Sequence, residues 1–275
     1  MSENNKETKK LKLTFAGGAG WVTGANFLLE KPDFKLLIDC GLIQGEHLAE
    51  FENWEPFPYD PASVDVLIIT HAHIDHIGRI PKLVHEGFNG KIISTNATKD
   101  LAAVMIRDTA NILSGSESGR KFNLQEMYSD KVLSKISSMW QSHEYHEKFT
   151  LGGDLDINFK DAGHILGSAM VEIVYNGSKI VFTGDLGNSP SPLLADTEDI
   201  TDAKYLVMES VYGDRNHEER AEREENLKKV MLEVFQKKSV LIVPIFSLER
   251  TQEFLYEINN FVESKQVPTM NILLQ

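Results

Sequence analysis

The sequence predicts a mixed α/β fold, and three observations carry that prediction. Short apolar, β-branched runs such as Val66-Leu67-Ile68-Ile69-Thr70 read as buried strands. Other segments carry helical periodicity, most clearly Leu227, Val230, Met231, Val234 and Phe235 at i, i+3, i+4, i+7 and i+8. Beyond Arg215, helix and strand patterns alternate, which means a parallel α/β arrangement. With 275 residues the chain is long enough for one to two domains and an ample core.

Taken in order, residues 1–10 are polar, lack a signal-peptide core and read as a disordered tail. Leu11 to Phe15 alternates as a strand, and the glycine-rich run Gly17 to Gly24 follows it. The spacing there misses GxGxxG, and Asn26 to Glu30 has no helical period. A tight turn between two strands is therefore favoured over a dinucleotide loop. Phe34 to Ile38 is the next strand and delivers Asp39; Val66 to Thr70 follows as a buried one. Lys91 to Ser94 is another strand, and Thr98 to Leu113 a helix with Leu101, Ala102, Met105 and Ile112 on or near one face. Ser114 to Arg120 reads as a low-complexity loop. Ser129 to Trp140 is a helix with Ser129 as N-cap. Asp156 to Lys160 and Lys179 to Thr183 are strands. Glu218 to Lys238 is an amphipathic helix, Ser239 to Phe246 a buried strand, Leu248 to Ser264 a helix and Met270 to Leu274 a strand.

The chemistry gathers at loops after strands. His71-Ala-His73-Ile-Asp75-His76-Ile-Gly78-Arg79 places four metal-capable side chains within six positions. Neutral imidazole and carboxylate are natural ligands of zinc and similar divalent ions. At a strand end His71 and His73 point to the same side and can aim at one ion; after the turn, Asp75 and His76 face a second position. His164 lies in a glycine-flanked loop after a strand, and Asp185 ends an apolar strand where an aspartate can bridge two ions. A lone histidine is usually a satisfied core residue, but this combination points to a two-metal site. His143-Glu-Tyr-His146-Glu147 fits neither HExxH nor HxxEH and reads as surface histidines. Cys40 is the sole cysteine, so no disulfide framework exists in this sequence; it reads as a small buried residue.

In this order, Asp39, HxHxDH, His164 and Asp185 resemble the metallo-β-lactamase superfamily. Further segments resemble its β-CASP nuclease branch. Leu37-Ile-Asp39-Cys-Gly-Leu-Ile-Gln-Gly45 is similar to that branch's first motif and Gly163-His164-Ile-Leu-Gly-Ser-Ala169 to its third. Glu209-Ser-Val-Tyr-Gly-Asp214 is similar to the acidic motif that opens the β-CASP insertion. Pro244-Ile-Phe-Ser-Leu-Glu249-Arg-Thr-Gln-Glu253 is similar to a segment of the inserted domain, with Glu249 where many relatives carry glycine. The resemblance implies an αββα core over residues 11–213 and the start of a parallel α/β β-CASP insertion over 214–275. It implies two zinc ions, one held by His71, His73 and His164, the other by Asp75 and His76, with Asp185 bridging. Asp39 would orient ligands, and Asp75, Asp185 and Glu209 would serve catalysis, Glu209 by orienting a proton-donor histidine. Gly78 and Arg79 would shape the turn and brace the loop. No histidine follows His217, whereas the family's returning segment carries two, so the sequence reads as a truncated form of doubtful activity.

The function implied is zinc-dependent phosphodiester hydrolysis, an RNA endo- or exonuclease acting on single-stranded RNA in the cytoplasm, with a homodimer allowed by the unfinished insertion. A hydrolase of small substrates (lactamase or thioester type) and an inactive scaffold are the alternatives. Charge argues mildly against nucleic acid, since Lys plus Arg number 28 against 41 Asp plus Glu, a net −13 without a basic footprint. No apolar stretch approaches the roughly 20 residues of a transmembrane helix.

Overall fold

The computed structural model describes residues 10–45, 49–114, 117–216 and 220–274. The tail expected over 1–10 therefore lies almost wholly outside the described residues. Two compact units emerge. One comprises residues up to 189 together with 195–209; the other comprises 190–194 and the chain from 210 onward.

The first unit holds two sheets. One contains β1 (Lys12–Gly17), β2 (Asn26–Lys31), β3 (Phe34–Ile38), β4 (Val66–Ile68), β5 (Lys91–Ser94) and β6 (Trp140–Ser142), in that spatial order. Its first three strands pair antiparallel and its last four parallel. The other runs β11 (Tyr205–Val207), β10 (Ser178–Phe182), β9 (Ala169–Tyr175), β8 (Leu155–Asp161) and β7 (Phe149–Leu151), antiparallel except for β11 on β10. Leu36, Ile38, Val66, Ile68 and Ile93 of the first sheet share one core with Ile157, Phe159, Val171, Ile173 and Phe182 of the second. Parallel strands are buried on both faces, which is why β4 reads as a continuous apolar run rather than an alternating one.

Helices α1 (Ala49–Glu52), α2 (Ile74–Ile77), α3 (Ile80–His85), α4 (Asn96–Ser114), α5 (Glu117–Lys121), α6 (Leu124–Met127) and α7 (Asp130–Met139) complete this unit. Packing of α7 on β5 and of α4 on β6 covers the first sheet. Several local expectations shift. The strand before the histidines stops at Ile68, because Thr70 turns to other partners. On α4 the buried positions are Thr98, Ala102 and Ile106, while Ile112 is exposed. Part of the expected low-complexity loop is helical as α5, its residues 115–116 lying outside the described set. Ser129 does sit at the N-cap of α7, but its side chain makes no capping hydrogen bond.

The second unit is built on α8 (Arg220–Lys237) and α9 (Arg250–Glu263), packed around Met231, Phe261 and Val267. Neither Ser239–Phe246 nor Met270–Leu274 forms the strand expected of it, and among the described residues this unit has no strand. Exposure along the first segment alternates: Leu241, Val243 and Ile245 are half-covered, while Val240 and Ile242 are 85% exposed. The period is that of an extended chain, but a strand also needs a ladder partner. Before α9 the backbone makes a γ-turn, with Glu249 at φ 63° and ψ −52° and Arg250 N donating to Leu248 O at 2.9 Å.

Candidate metal centre

Everything in the site hangs on the loops after β3, β4, β8 and β10. Past Ile68 the chain leaves the sheet, and Thr70 N donates to Asp39 Oδ1 at 2.8 Å. Asp39 adopts φ 58°, a left-handed conformation that Asp tolerates better than most residues. His71 and His73 therefore lie on a loop, not in a strand as the sequence suggested. His73 occupies the N-cap of α2, and that single turn carries Asp75 and His76. The turn is docked on the loop after Asp39: Cys40 N donates to His76 O and Leu42 N to Ile74 O. Gly41 sits so close to Asp75 that any Cβ there would lie 1.4 Å from the Asp75 carbonyl oxygen, so only glycine fits. Arg79 is buried, its Nε donating to Gly41 O and its guanidinium lying over Phe57; this is the bracing role expected of it.

The second sheet brings the other two residues. His164 N donates to Ser168 Oγ at 3.0 Å, Gly187 N donates to Ala162 O at 2.9 Å, and so the His164 and Asp185 loops are tied to each other. Ala169 N donates to Thr70 O at 2.8 Å, which ties the second sheet to the histidine loop of the first.

Two ligand groups result, one of His71, His73, His164 and Asp185, the other of Asp75, His76 and Asp185. In the first, His73 Nδ1 lies 3.1 Å from both His71 Nε2 and His164 Nε2. Asp185 Oδ2 is 3.7 Å from His71 Nε2 and 3.6 Å from His164 Nε2. A tetrahedral zinc with ligands near 2.0 Å has edges of about 3.3 Å, so this group can hold such an ion. In the second group, His76 Nε2 is 3.2 Å from Asp185 Oδ1 and 3.9 Å from Asp75 Oδ2. Asp185 thus turns one oxygen toward each group.

Electrostatics suit that use. Burial, together with the neighbouring His76, His164 and His73, holds the His71 imidazole well below its ordinary value, hence neutral and able to ligate. Burial would lower His76 too, but the charge of Asp39 and hydrogen bonds to Asp185 and Asp39 outweigh it and raise this group well above the usual range. Burial raises the Asp75 carboxyl. Asp185 is lowered despite its burial, through His76 first and then His164 and His73. Four histidines and three carboxylates in one partly buried cluster form a donor set that a cation could complete.

Other expected residues are placed as follows. Glu209 Oε1 accepts from Leu186 N at 3.0 Å and so holds the turn just after Asp185. His143 pairs with Glu147 and stacks on Phe149, while His146 faces Glu198; neither joins a ligand group. Cys40 is fully buried, and burial pushes its thiol up to about 12. Sequence reasoning missed Thr70, whose hydroxyl donates to Asp39 Oδ2 at 2.8 Å, and Ser168, which clasps the His164 loop. Short polar residues of this kind have no pattern that separates them from ordinary turn residues.

Comparison with known proteins agrees with this architecture. Residues 14–204 match the family described as anti-Pycsar protein Apyc1. The chain is 32% identical over 258 residues to "Ribonuclease TTHA0252" of Thermus thermophilus, covering 94% of this chain and 56% of that protein. It is 31% identical over 256 residues to an "RNase J-like protein" of Methanocaldococcus jannaschii, covering 92% and 55% respectively. The chain thus spans about half the length of these curated relatives. A crystal structure of a protein of unknown function from Enterococcus faecalis shares the fold, with TM-score 0.51 and 14% identity over 82% of this chain and 57% of that one.

Proposed function

Because the chain belongs by its core to the family of the anti-Pycsar protein Apyc1, and as a whole to the β-CASP branch of the metallo-β-lactamase superfamily, we propose that it hydrolyses phosphodiester bonds in RNA with two zinc ions. One observation carries the reading: the two oxygens of Asp185 face two separate ligand groups. That is the arrangement a bridged metal pair requires. When bound, the ions would supply Lewis acidity toward phosphoryl oxygens and a water acidified toward neutrality.

The chain's own residues do the rest. His71, His73 and His164 would hold one ion and Asp75 and His76 the other, with Asp185 available to both. Asp75 offers a carboxylate Oδ beside the pair that can take the proton of the attacking water. Asp39 would keep His76 oriented, and Glu209 fixes the turn that presents Asp185. Residues 190–194 and 210 onward correspond in this reading to part of a β-CASP insertion, whose exposed apolar segment 240–246 supports self-association. The names of the relatives support RNA as substrate; among the described residues no helix is long and apolar enough to cross a membrane.

The test is cleavage of end-labelled single-stranded RNA by zinc-reconstituted protein, beside single-stranded DNA, nitrocefin and a glutathione thioester. RNA cleavage abolished by His71→Ala is the expected result. Turnover of nitrocefin or the thioester without RNA cleavage would replace the reading by a small-substrate hydrolase, and a protein that takes up no zinc would overturn it.

A further inference from the structure

The hydroxyl of Thr70 occupies a point that no part of the proposed mechanism uses. It donates to Asp39 Oδ2 at 2.8 Å and lies 3.1 Å from His71 Nδ1. The same Asp39 oxygen is 2.8 Å from His76 Nδ1, while its other oxygen accepts from Thr70 N. Asp39, Thr70 and His71 are all essentially inaccessible to water, so these groups must satisfy one another.

A hydroxyl has one proton and two lone pairs. With its proton committed to the carboxylate, Thr70 Oγ1 can only accept from His71, which places the His71 proton on Nδ1. The lone pair is then on Nε2, the atom that faces His73, His164 and Asp185. The same Asp39 oxygen also accepts from His76 Nδ1 and so holds the orientation of that ring, whose Nε2 is turned to Asp185. We propose that Thr70 is a positioning residue that, held by Asp39, fixes the tautomer and ring orientation of His71. One carboxylate oxygen thereby supports a residue of each ligand group.

The fold holds the hydroxyl in that place. Gly184, immediately before Asp185, has φ 56°, and a Cβ built on it would lie 2.8 Å from both Thr70 Cβ and Oγ1. The Thr70 side chain fills the space that this glycine leaves. Its backbone carbonyl accepts from Ala169 N, so the residue is anchored by both sheets. Rotation of the side chain away from Asp39 and His71 would have to displace one of these contacts.

The inference rests on the reading of the cluster as a metal centre, and the experiment separates the two. In the metal-free whole protein, long-range proton–nitrogen NMR of the imidazoles should show His71 as the neutral tautomer protonated on Nδ1 alone. Thr70→Ser keeps the hydroxyl and should keep both the His71 tautomer and the zinc affinity. Thr70→Val keeps the volume and Thr70→Ala is the smaller alternative should valine disturb folding. Either should give His71 a mixed tautomer and lower zinc affinity, read by chelator competition, by about 10–100-fold. Wild-type protein with His71 protonated on Nε2 would overturn the proposal without any variant. So would Thr70→Ala or Thr70→Val with unchanged zinc affinity. Wild-type protein that binds no zinc would instead overturn the metal reading itself.

Discussion

Two segments of almost the same character meet different ends in this molecule. Val66-Leu67-Ile68-Ile69 forms β4 and the start of the loop beyond it; Leu67, Ile68 and Ile69 are wholly inaccessible to solvent. Val240-Leu241-Ile242-Val243 is equally apolar and β-branched, yet Val240 and Ile242 are 85% exposed and no ladder forms. The first has β3 on one side and β5 on the other, and its Val66 and Ile68 pack into the core shared with the second sheet. The second keeps the period-2 exposure of an extended chain without a partner. Local composition therefore fixes the conformation a segment prefers, while the neighbour decides whether a strand exists.

The largest expected effect tests whether the site belongs to the first unit alone. Asp185→Ala removes the one side chain shared by both ligand groups. It should abolish uptake of the second zinc and cost RNA cleavage more than the about 10–100-fold expected of Asp39→Asn. Metal content and initial rates on labelled RNA decide it, and an equal or inverted ranking with both variants folded would show that Asp185 does not bridge. Glu253→Gln, in the second unit, should leave zinc content unchanged.

Next comes stability. Leu67→Ala should lose about 2–5 kcal/mol by emptying a closed core position. Ile242→Ala should stay within about 0.5 kcal/mol in denaturant titrations. If the two losses are alike, residues 240–246 are covered in solution and the comparison fails. A smaller gain should come from Glu249→Gly. A non-glycine residue at φ 63° carries a cost on the order of 1 kcal/mol, so the glycine variant should melt later.

The smallest change expected is none at all. Cys40 should resist iodoacetamide at pH 8 until the protein is unfolded, because its buried thiol ionises only near about 12. Between about 9 and about 12 the unfolded chain loses this proton and the folded one does not, so that group favours unfolding as pH rises. Rapid labelling of native protein would show that the loop after Asp39 opens readily.

Much of the centre was legible because its chemistry is dense. Four metal-capable side chains within six residues have few structural excuses, and His164 and Asp185 stand at strand-to-loop junctions that glycine marks. Thr70 was not legible, since its contribution lies in where one hydroxyl sits between residues 31 positions apart, Asp39 and itself. Among the strands of the first unit, β1 to β5, β8 and β10 were legible, whereas β6, β7, β9 and β11 were not, although β9 is itself rich in branched residues. Trp140–Ser142 and Phe149–Leu151 are three-residue strands held by their neighbours in the sheet rather than by pattern. The two strands expected in the second unit failed for the converse reason: pattern without a neighbour.

The ligands of the first group come from both sheets. His71 and His73 follow β4, whereas His164 and Asp185 follow β8 and β10. An ion held there would act as a removable cross-link between distant parts of the chain. At free zinc a hundredfold above its dissociation constant, binding to the folded form alone adds about 2.7 kcal/mol to stability. That is a sizeable fraction of what keeps an ordinary domain folded. Zinc supply would then govern how long this protein survives as well as how fast it works, and a chelator would act on its core as a mild denaturant.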